Sequence, residues 1–361
     1  MSTNFGIIGC GMIASFHARA ICDAGGTLVA CYDKISQAAE RIGNDFHAKA
    51  YVDLDAFLAH PDMNIVTIGT PSGAHCEMAV AAAKAGKHVI VEKPLEITLE
   101  RCDMIINACE KAGVTLSTIF PSRFHDSSQK IKKAIEAGRF GRLTLGDAIV
   151  KWYRTQDYYD SGAWRGTWEL DGGGALMNQA IHSVDLLSWL MGPVTEINAG
   201  ISLLAHERIA VEDTAVATVR FQSGALGIIE ASTAAYPGYL KRIEIHGSTG
   251  SAVMEEEDII KWDFVVSREE DAEIREAMTN QLSGGGGAAD PAAIGHHGHA
   301  KQFKDVIDAI HSGRKPLIDG HEGRKSVEII LAIYEAAEKG TTVKLPLPED
   351  PTLAVRTTGV K

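Results

Sequence analysis

The sequence predicts an α/β protein: an N-terminal doubly wound parallel sheet, followed by a C-terminal α+β domain with a large, mostly antiparallel open sheet. Up to residue 121, short β-branched runs alternate with helical patterns, as in parallel βαβ units. Beyond that point, neighbouring strand patterns follow one another through short glycine turns, which favours antiparallel pairing. A chain of 361 residues is also longer than one hydrophobic core usually supports.

Three segments are expected from these patterns. Residues 1–121 form the first domain, residues 122–345 bind substrate and mediate oligomerisation, and residues 346–361 form an extended tail. Two helices within 294–340 are expected to pack back on the first domain. The glycine run at 284–287 predicts a flexible loop.

The elements can be placed in order. In the first domain, five of six expected strands lie at 5–8, 27–32, 64–69, 88–91 and 114–120, with helices ending at 24 and spanning 36–45, 53–59, 76–85 and 98–112. In the second, helices are predicted at 127–137, 176–191, 294–312 and 324–339, and strands at 143–153, 197–205, 214–221, 225–233, 240–246, 251–255 and 259–263. We expect a cofactor to bind along the rim of the sheet that is formed by the carboxyl ends of its parallel strands.

Composition narrows the function. The formal net charge of −12 leaves no basic surface for nucleic acid and does not attract anionic substrates. Apolar runs are too short to cross a membrane, and the N-terminal residues lack a secretion-signal pattern, so we expect a cytoplasmic protein. The six cysteines contain no Cys-x-x-Cys pair, which favours reduced thiols over disulfides or a zinc site.

The first strand runs into Gly9-Cys10-Gly11-Met12-Ile13-Ala14, which fits the Gly-x-Gly-x-x-Ala fingerprint of dinucleotide-binding folds. Gly9 permits a tight turn, and Gly11 lets the backbone approach a pyrophosphate at the following helix N-terminus. Asp33 ends the second strand, 22 residues beyond Gly11, where a carboxylate can bind the adenosine ribose. It would repel a 2′-phosphate and so favours NAD over NADP, although the neighbouring Lys34 could tolerate that phosphate. A glycine turn of another βα unit and a simple turn aspartate are the alternatives.

Glu92, Lys93 and Pro94 follow a buried strand, at the sheet edge where open α/β folds bind ligands. Proline cannot extend the strand, so Lys93 is expected at its end, close to a bound cofactor. An ordinary Glu-Lys pair at a strand end is the alternative, and the rest of the chain argues against it.

Three glycines at 172–174 precede a predicted helix that carries Asn178, His182 and Asp185. Asn178 and His182 are four residues apart, which places them on one face of an α-helix. Asp185 can hold one imidazole nitrogen, and a histidine held in this way accepts a hydroxyl proton near neutral pH. The alternative is a core helix whose histidine is satisfied locally.

Three motifs follow one another along the chain: Gly-x-Gly-x-x-Ala, Glu-Lys-Pro and Gly-Gly-Gly…Asn-x-x-x-His-x-x-Asp. In this order they resemble the motifs of the Gfo/Idh/MocA oxidoreductases, the family of glucose-fructose oxidoreductase and inositol dehydrogenase. The resemblance covers essentially the whole chain. It implies a Rossmann domain, an open-faced sheet domain that forms homodimers or homotetramers, and hydride transfer to NAD.

The resemblance also implies roles for individual residues. The implied cofactor-binding residues are Gly9, Gly11, Met12, Ile13, Asp33, Thr70, Pro71, His75, Glu92, Lys93 and Arg165. The implied catalytic residues are His182 as general base, Lys93 and Asn178. Aromatic and arginine residues before the glycine run suit a sugar ring, although domain-interface packing would also explain them. The expected substrate-binding residues are therefore Arg123, Tyr153, Trp164 and Arg165, with Lys93, Asn178 and His182.

Asn178 departs from the inositol dehydrogenase pattern, which has an aspartate four residues before the histidine. An amide can orient a hydroxyl group but cannot stabilise a protonated His182 by charge. Proton transfer is then expected to rest on His182 and Lys93, with Asp185 or a substrate group assisting. This favours a sugar-oxidising branch over inositol as substrate.

The histidines at 296, 297 and 299 could suggest a metal site, but their helical spacing brings no carboxylate with them. We expect no metal and place this helix start at the substrate cleft.

The sequence thus predicts NAD-dependent oxidation of a secondary hydroxyl of a sugar, glycoside or anhydrosugar, at C3. Sugar-nucleotide or inositol oxidation, a glycosidase that uses NAD transiently, and a non-catalytic NAD-binding regulator are the alternatives. The acidic balance disfavours a sugar nucleotide, intact Glu92-Lys93-Pro94 disfavours the glycosidase, and the joint presence of Lys93 and His182 disfavours the regulator.

Overall fold

The computed structural model of the chain describes residues 3–279 and 295–358. The chain divides into two compact units: Met1–Pro121 with Gly295–Val327 (unit one), and Ser122–Ile294 with Glu328–Lys361 (unit two). The glycine loop predicted at 284–287 lies outside the described residues. Among the helices of the described ranges, none has the length and hydropathy needed to cross a membrane.

Unit one contains a six-stranded sheet with the order β3-β2-β1-β4-β5-β6, in which every pair is parallel. Its strands are β1 (Asn4–Ile8), β2 (Thr27–Tyr32), β3 (Lys49–Tyr51), β4 (Ile65–Ile68), β5 (His88–Val91) and β6 (Leu116–Thr118). Its first helices are α1 (Met12–Asp23), α2 (Ser36–Phe46), α3 (Leu54–Leu58), α4 (His75–Lys84) and α5 (Leu99–Ala112). The predicted doubly wound sheet is confirmed, and β3 is the strand that the sequence patterns left unplaced.

The centre of this sheet reads as continuous apolar runs because helices cover both faces. All four residues of β4 are buried. The chain returns to unit one through α10 (His297–Ser312), and α11 (Gly320–Lys339) begins there. Phe303 of α10 stacks on Phe5 of β1 with ring centroids 5.9 Å apart, so α10 belongs to the core of this unit.

Unit two contains an eight-stranded sheet with the order β13-β12-β11-β7-β10-β9-β8-β14. Its strands are β7 (Leu143–Lys151), β8 (Val194–Ser202), β9 (Thr214–Phe221), β10 (Leu226–Ser232), β11 (Arg242–Gly247), β12 (Gly250–Glu255), β13 (Asp258–Phe264) and β14 (Val343–Lys344). Among the strand pairs of this sheet within the described residues, only β7 and β10 pair in parallel, so the predicted, mostly antiparallel sheet is confirmed.

The remaining helices of unit two are α6 (Asp126–Glu136), α7 (Gln156–Asp160), α8 (Ile181–Met191), α9 (Glu270–Thr279) and α12 (Val355–Thr358). A single α-helix over 176–191 was predicted, and this prediction was wrong, because Ala175–Ala180 forms a π-helical turn ahead of α8. A π turn bonds residue i to i+5, so the four-residue spacing of Asn178 and His182 no longer implies a shared face. Beyond β14, Leu347 and Leu353 of the tail are buried.

Candidate active site

The glycine turn after β1 has the geometry that the fingerprint predicts. Gly9 has φ +90°, and a Cβ there would lie 2.8 Å from the backbone of Gly69, so only glycine fits. A Cβ on Gly11 would meet no atom within 4 Å, and no side chain caps the start of α1. The start of α1 therefore has no side-chain cap and has room beside Gly11, as a pyrophosphate site requires.

Asp33 stands beside this turn, at the carboxyl end of β2. Its Oδ2 accepts the Cys10 N–H at 2.8 Å, and its Oδ1 accepts the Ile35 N–H at 2.9 Å. Arg41 of α2 donates to the Cys10 carbonyl at 2.8 Å. Arg41 is not predicted by the sequence patterns, because only the fold brings its cation next to the glycine turn.

The loop after β4 is tied to the loop after β5 by His75. The imidazole Nδ1 lies 2.9 Å from the Pro94 carbonyl oxygen, and Nε2 lies 3.0 Å from the Thr70 carbonyl oxygen. Burial lowers the pKa of His75, which is 1% exposed. His75 therefore fixes the loop that holds Thr70 and Pro71. Among the described residues, the buried Oγ1 of Thr70 has no hydrogen-bond partner.

Lys93 follows β5 and is half-buried, whereas the Glu92 carboxyl beside it is 8% exposed. Glu92 Oε2 accepts the Lys93 N–H at 3.0 Å, and Glu92 Oε1 lies 2.8 Å from Nε2 of His17. Burial would raise the pKa of Glu92, but the imidazoles of His17 and His299 outweigh it and hold this pKa well below its usual value.

The histidines near the start of α10 have carboxylate neighbours from other elements. His299 Nε2 lies 3.5 Å from Glu92 Oε1, and His296 Nε2 lies 2.9 Å from Asp23 Oδ2. The helical spacing of the histidines could not reveal these carboxylates, because they come from distant parts of the chain. His299 is 5% exposed within unit one, and a cleft-lining role for His297 stays a prediction.

In unit two, the π-helical turn begins where the chain passes close to Glu212. A Cβ on Gly174 would lie 1.8 Å from the Glu212 carbonyl oxygen, which explains the glycine there. The Glu212 carboxylate accepts the N–H groups of Gly174 and Leu176, both at 2.9 Å. Glu212 thus satisfies buried N–H groups at the start of the segment that carries Asn178 and His182, where a helix offers them no acceptor of its own.

Asn178 is half-buried and held by hydrogen bonds from both sides. Its Nδ2 donates to the buried carboxylate of Asp171, and its Oδ1 accepts from Gln179 Nε2 at 3.0 Å. Asp171 also accepts the Gly166 N–H at 2.9 Å. Asp171 was not among the predicted site residues, although its position directly before the glycine run was a usable signal. His182 is half-buried in the first turn of α8.

Asp185 and Arg123 form a buried ion pair. Nε and Nη2 of Arg123 donate to the two oxygens of Asp185 at 2.8 and 2.7 Å. The two residues are 1% and 2% exposed, and the Arg123 guanidinium also lies over the ring of Trp189. This arrangement ties α8 to the turn Pro121–Phe124, so it supports a structural role for Arg123; substrate contact by Arg123 stays a prediction.

The predicted substrate residues Trp164 and Arg165 lie together in unit two with Tyr158. The Arg165 guanidinium lies 4.6 Å from the Trp164 ring centroid and 4.3 Å from that of Tyr158. Arg165 also donates to the Tyr158 hydroxyl at 2.7 Å, and Gln179 donates to the same hydroxyl at 2.9 Å. Tyr153 instead packs edge-on against Tyr236, with ring centroids 5.3 Å apart.

The residues of unit one fit a bound dinucleotide. The uncapped start of α1, the open space at Gly11, the Asp33 carboxylate and the buried Thr70 hydroxyl lie along the carboxyl ends of β1, β2 and β4. These are the strand ends at which open α/β sheets bind nucleotides.

Comparison with known proteins supports this interpretation. Residues 3–120 match the oxidoreductase family with an NAD-binding Rossmann fold, and residues 128–253 match the GFO/IDH/MocA C-terminal domain. The chain is 30% identical over 358 residues to myo-inositol 2-dehydrogenase of Thermotoga maritima, covering 94% of this chain and 98% of that enzyme.

Two groups of solved structures share the fold. The WlbA dehydrogenase from Bordetella pertussis, in complex with NADH and UDP-GlcNAcA, is 36% identical with a TM-score of 0.87, covering 96% of this chain and 98% of that chain. A levoglucosan dehydrogenase in complex with NADH and levoglucosan is 25% identical with a TM-score of 0.84. The match covers 96% of this chain and 100% of that chain. The chain is an NAD-binding oxidoreductase and belongs to the Gfo/Idh/MocA family.

Proposed function

We propose that the protein oxidises a secondary hydroxyl of a sugar, glycoside or anhydrosugar to a ketone, at C3, with NAD rather than NADP. Lys93 carries the proposal: it is a half-buried lysine at the carboxyl end of β5, on the rim where Gly11 and Asp33 form a nucleotide site. A cation held there can stabilise the charge that develops on a substrate oxygen.

Each residue has a distinct role in this proposal. Bound NAD⁺ supplies the hydride acceptor. His182 accepts the proton of the substrate hydroxyl, Lys93 donates a hydrogen bond to the same oxygen, and Asn178 orients the hydroxyl through its amide. The C–H bond of the carbinol carbon breaks as hydride, the O–H bond loses its proton to His182, and a C=O bond forms.

A second substrate class calls for a direct test: a nucleoside-diphosphate sugar that carries a carboxylate. The chain is 36% identical to a WlbA dehydrogenase solved with UDP-GlcNAcA, against 25% for the levoglucosan enzyme. Arg165, held between two aromatic rings, offers the planar donor set that binds carboxylates and phosphates.

The test is to incubate the purified protein with NAD or NADP and a substrate panel while NADH absorbance is followed. The panel contains glucosides, anhydrosugars, inositols and UDP-linked uronic acids. We expect absorbance to rise with one sugar class and NAD, and both Lys93→Met and His182→Ala to slow the rise by about 10²–10⁴-fold, to a rate that can still be measured. If no compound in the panel raises the absorbance, the proposal is contradicted. A glycosidase that uses NAD transiently, or a non-catalytic NAD-binding regulator, is then favoured.

Matched controls exist in each unit. Lys87→Met removes a half-buried lysine before the same strand, whose ammonium donates to the Met63 carbonyl at 2.7 Å. His246→Ala removes a half-buried histidine of β11. Both variants should keep wild-type turnover.

A further inference from the structure

Three buried ionisable side chains of unit one meet beside the backbone of Lys93. His17 comes from α1, Glu92 follows β5, and His299 comes from α10; they are 0%, 8% and 5% exposed. Both imidazoles face one carboxylate oxygen, with Nε2 of His17 at 2.8 Å and Nε2 of His299 at 3.5 Å from Glu92 Oε1. Elements distant in sequence thus converge on one carboxylate.

The other oxygen of Glu92 acts on the next residue. Glu92 Oε2 accepts the backbone N–H of Lys93 at 3.0 Å. The preceding N–H, that of Glu92, donates to the carbonyl of Ile68 in the neighbouring strand β4 at 2.9 Å. The carboxylate therefore holds the backbone N–H of Lys93, two residues beyond the end of β5.

The protonation states of the cluster follow from its hydrogen bonds. Burial lowers the pKa of His17, so its imidazole is neutral. Its Nδ1 lies 3.0 Å from Oγ1 of Thr67, whose hydroxyl can donate to it, which leaves the proton on Nε2 to donate to Glu92. Glu92 is accordingly an ionised carboxylate that two imidazoles and one backbone N–H surround.

We propose that His17, Glu92 and His299 form a positioning site that orients Lys93 for catalysis by holding its backbone. The inference rests on the proposed function, in which Lys93 contacts the substrate oxygen. A displacement of about 1 Å at a catalytic group can cost roughly a hundredfold in rate, so a fixed backbone at this position has direct kinetic value.

A metal site is the competing interpretation, because the three residues offer two imidazole nitrogens and one carboxylate oxygen within 4.8 Å of one another. The 2.8 Å separation of His17 and Glu92 is, however, the length of a charge-assisted hydrogen bond. Together with Thr67, these bonds account for both nitrogens of His17 without an ion.

The decisive variant is Glu92→Gln, which keeps the size of the side chain. An amide offers one acceptor oxygen where the carboxylate offers two, so the N–H of either His17 or Lys93 loses its acceptor. We expect kcat to fall about tenfold to a hundredfold, a larger factor than any rise in the Kd for NAD, which is measured by fluorescence titration. His299→Asn should have a smaller effect on kcat, because its contact with Glu92 is longer, and it serves as the second variant should Glu92→Gln fold poorly.

A double-mutant cycle separates positioning from general destabilisation. If Glu92 acts through Lys93, then Glu92→Gln with Lys93→Met should be no slower than Lys93→Met alone. The matched control is His88→Asn, at the other end of β5, where Nδ1 accepts the Thr115 N–H at 3.0 Å. It should lower the melting temperature but leave kcat unchanged.

The outcomes are distinguishable. Full activity of Lys93→Met would contradict the proposed function itself. A greatly slowed Lys93→Met beside a Glu92→Gln enzyme of wild-type rate would overturn the positioning site alone. The positioning site would also be overturned if the rate losses of the two single variants multiplied in the double variant. It would be overturned as well if the purified protein contained one divalent metal ion per chain and His17→Ala lost that ion.

Discussion

The carboxylate of Glu212 accepts the backbone N–H of Leu176 at 2.9 Å, in the first turn of the segment that carries Asn178 and His182. The Tyr334 hydroxyl donates to the same Glu212 oxygen at 3.0 Å. Burial raises the pKa of Glu212 to about 7, although these donors oppose the rise. The residue that organises the π-helical turn therefore changes charge near neutral pH.

This shift predicts a pH dependence of stability. The pKa of Glu212 lies above its ordinary value of 4.5 in the folded protein, so the folded state binds the proton more tightly. The contribution of Glu212 to the free energy of unfolding is therefore present below about pH 4.5 and is lost as pH rises to about 7. The shift corresponds to a change on the order of 3 kcal/mol.

Urea unfolding at pH 5 and pH 8 checks this prediction. The wild type should lose more stability between the two values than Glu212→Gln, which cannot ionise. The control is Glu207→Gln, at an exposed glutamate of the same unit, and it should follow the wild type. Equal pH dependence of the wild type and Glu212→Gln would contradict the prediction.

The contact between Asn178 and Asp171 predicts the effect of restoring an aspartate at position 178. Asn178→Asp places two carboxylates in hydrogen-bond contact, at a site where Asp171 is 2% exposed. Like charges repel strongly at such a buried position. We expect a loss of about 2–4 kcal/mol in stability and a fall in kcat, measured by chemical unfolding and steady-state kinetics.

A charge exchange provides the control. In the double variant Asp171→Asn with Asn178→Asp, the amide and the carboxylate trade places and the hydrogen bond is kept. The new amide oxygen at position 171 can still accept the Gly166 N–H. Stability should recover in the double variant, and a double variant no more stable than Asn178→Asp would sink the argument.

The sequence predicted those parts of the site that local patterns encode. The positive φ of Gly9 follows from a glycine-rich turn directly after a strand, and the place of Lys93 follows from a proline that ends β5. Both depend on residues close in sequence, for which turn and strand chemistry is specific.

What the sequence could not predict depends on long-range packing. The π-helical turn arises where Gly174 meets the carbonyl of Glu212, 38 residues later, and no helical periodicity reveals such a contact. In the same way, His17 and His299 reach Glu92 only because α1 and α10 pack in one core. For Asn178, the side-chain partners are set by tertiary structure, and its four-residue spacing from His182 does not predict them.

The ion pair of Arg123 and Asp185 predicts a stability effect separate from substrate binding. Arg123→Met leaves the Asp185 carboxylate buried without its guanidinium partner, which should cost about 3–5 kcal/mol in unfolding free energy. KM of the folded fraction should change by less than about twofold. Arg123→Met with Asp185→Leu should recover part of the stability, since no charge is then stranded. A large rise in KM without destabilisation would instead support Arg123 as a substrate residue.

Asp33 predicts the cofactor preference. Asp33→Asn removes the negative charge and keeps one acceptor oxygen, so one of the two N–H groups of Cys10 and Ile35 retains its acceptor. With the repulsion of a 2′-phosphate gone and Arg41 nearby, kcat/KM for NADP should rise about tenfold relative to NAD. Asp53→Asn is the matched control, because Asp53 also accepts a backbone N–H, from Ala56. An unchanged ratio in Asp33→Asn would remove Asp33 as the ribose ligand.

The open face of the unit-two sheet predicts self-association. Residues of β9 alternate between buried and exposed, so one face of the sheet is open. This face carries large apolar side chains from three strands, and their exposed fractions are 50% for Val216, 48% for Leu226 and 40% for Leu145. Leu226 and Leu145 are register partners on β10 and β7, so the two leucines lie side by side and form a small apolar patch. Such a patch on a sheet favours burial against a second copy.

Light scattering coupled to size-exclusion chromatography tests this expectation. The wild type should run as a homodimer or homotetramer, and Leu226→Lys should shift it towards the monomer, because a desolvated ammonium would oppose burial of the patch. Val266→Lys changes an apolar residue that is 71% exposed but lies beyond β13, outside the sheet, and should leave the mass unchanged. A monomeric wild type at all concentrations would mean that this face stays in water, and an oligomer insensitive to Leu226→Lys would place the interface elsewhere.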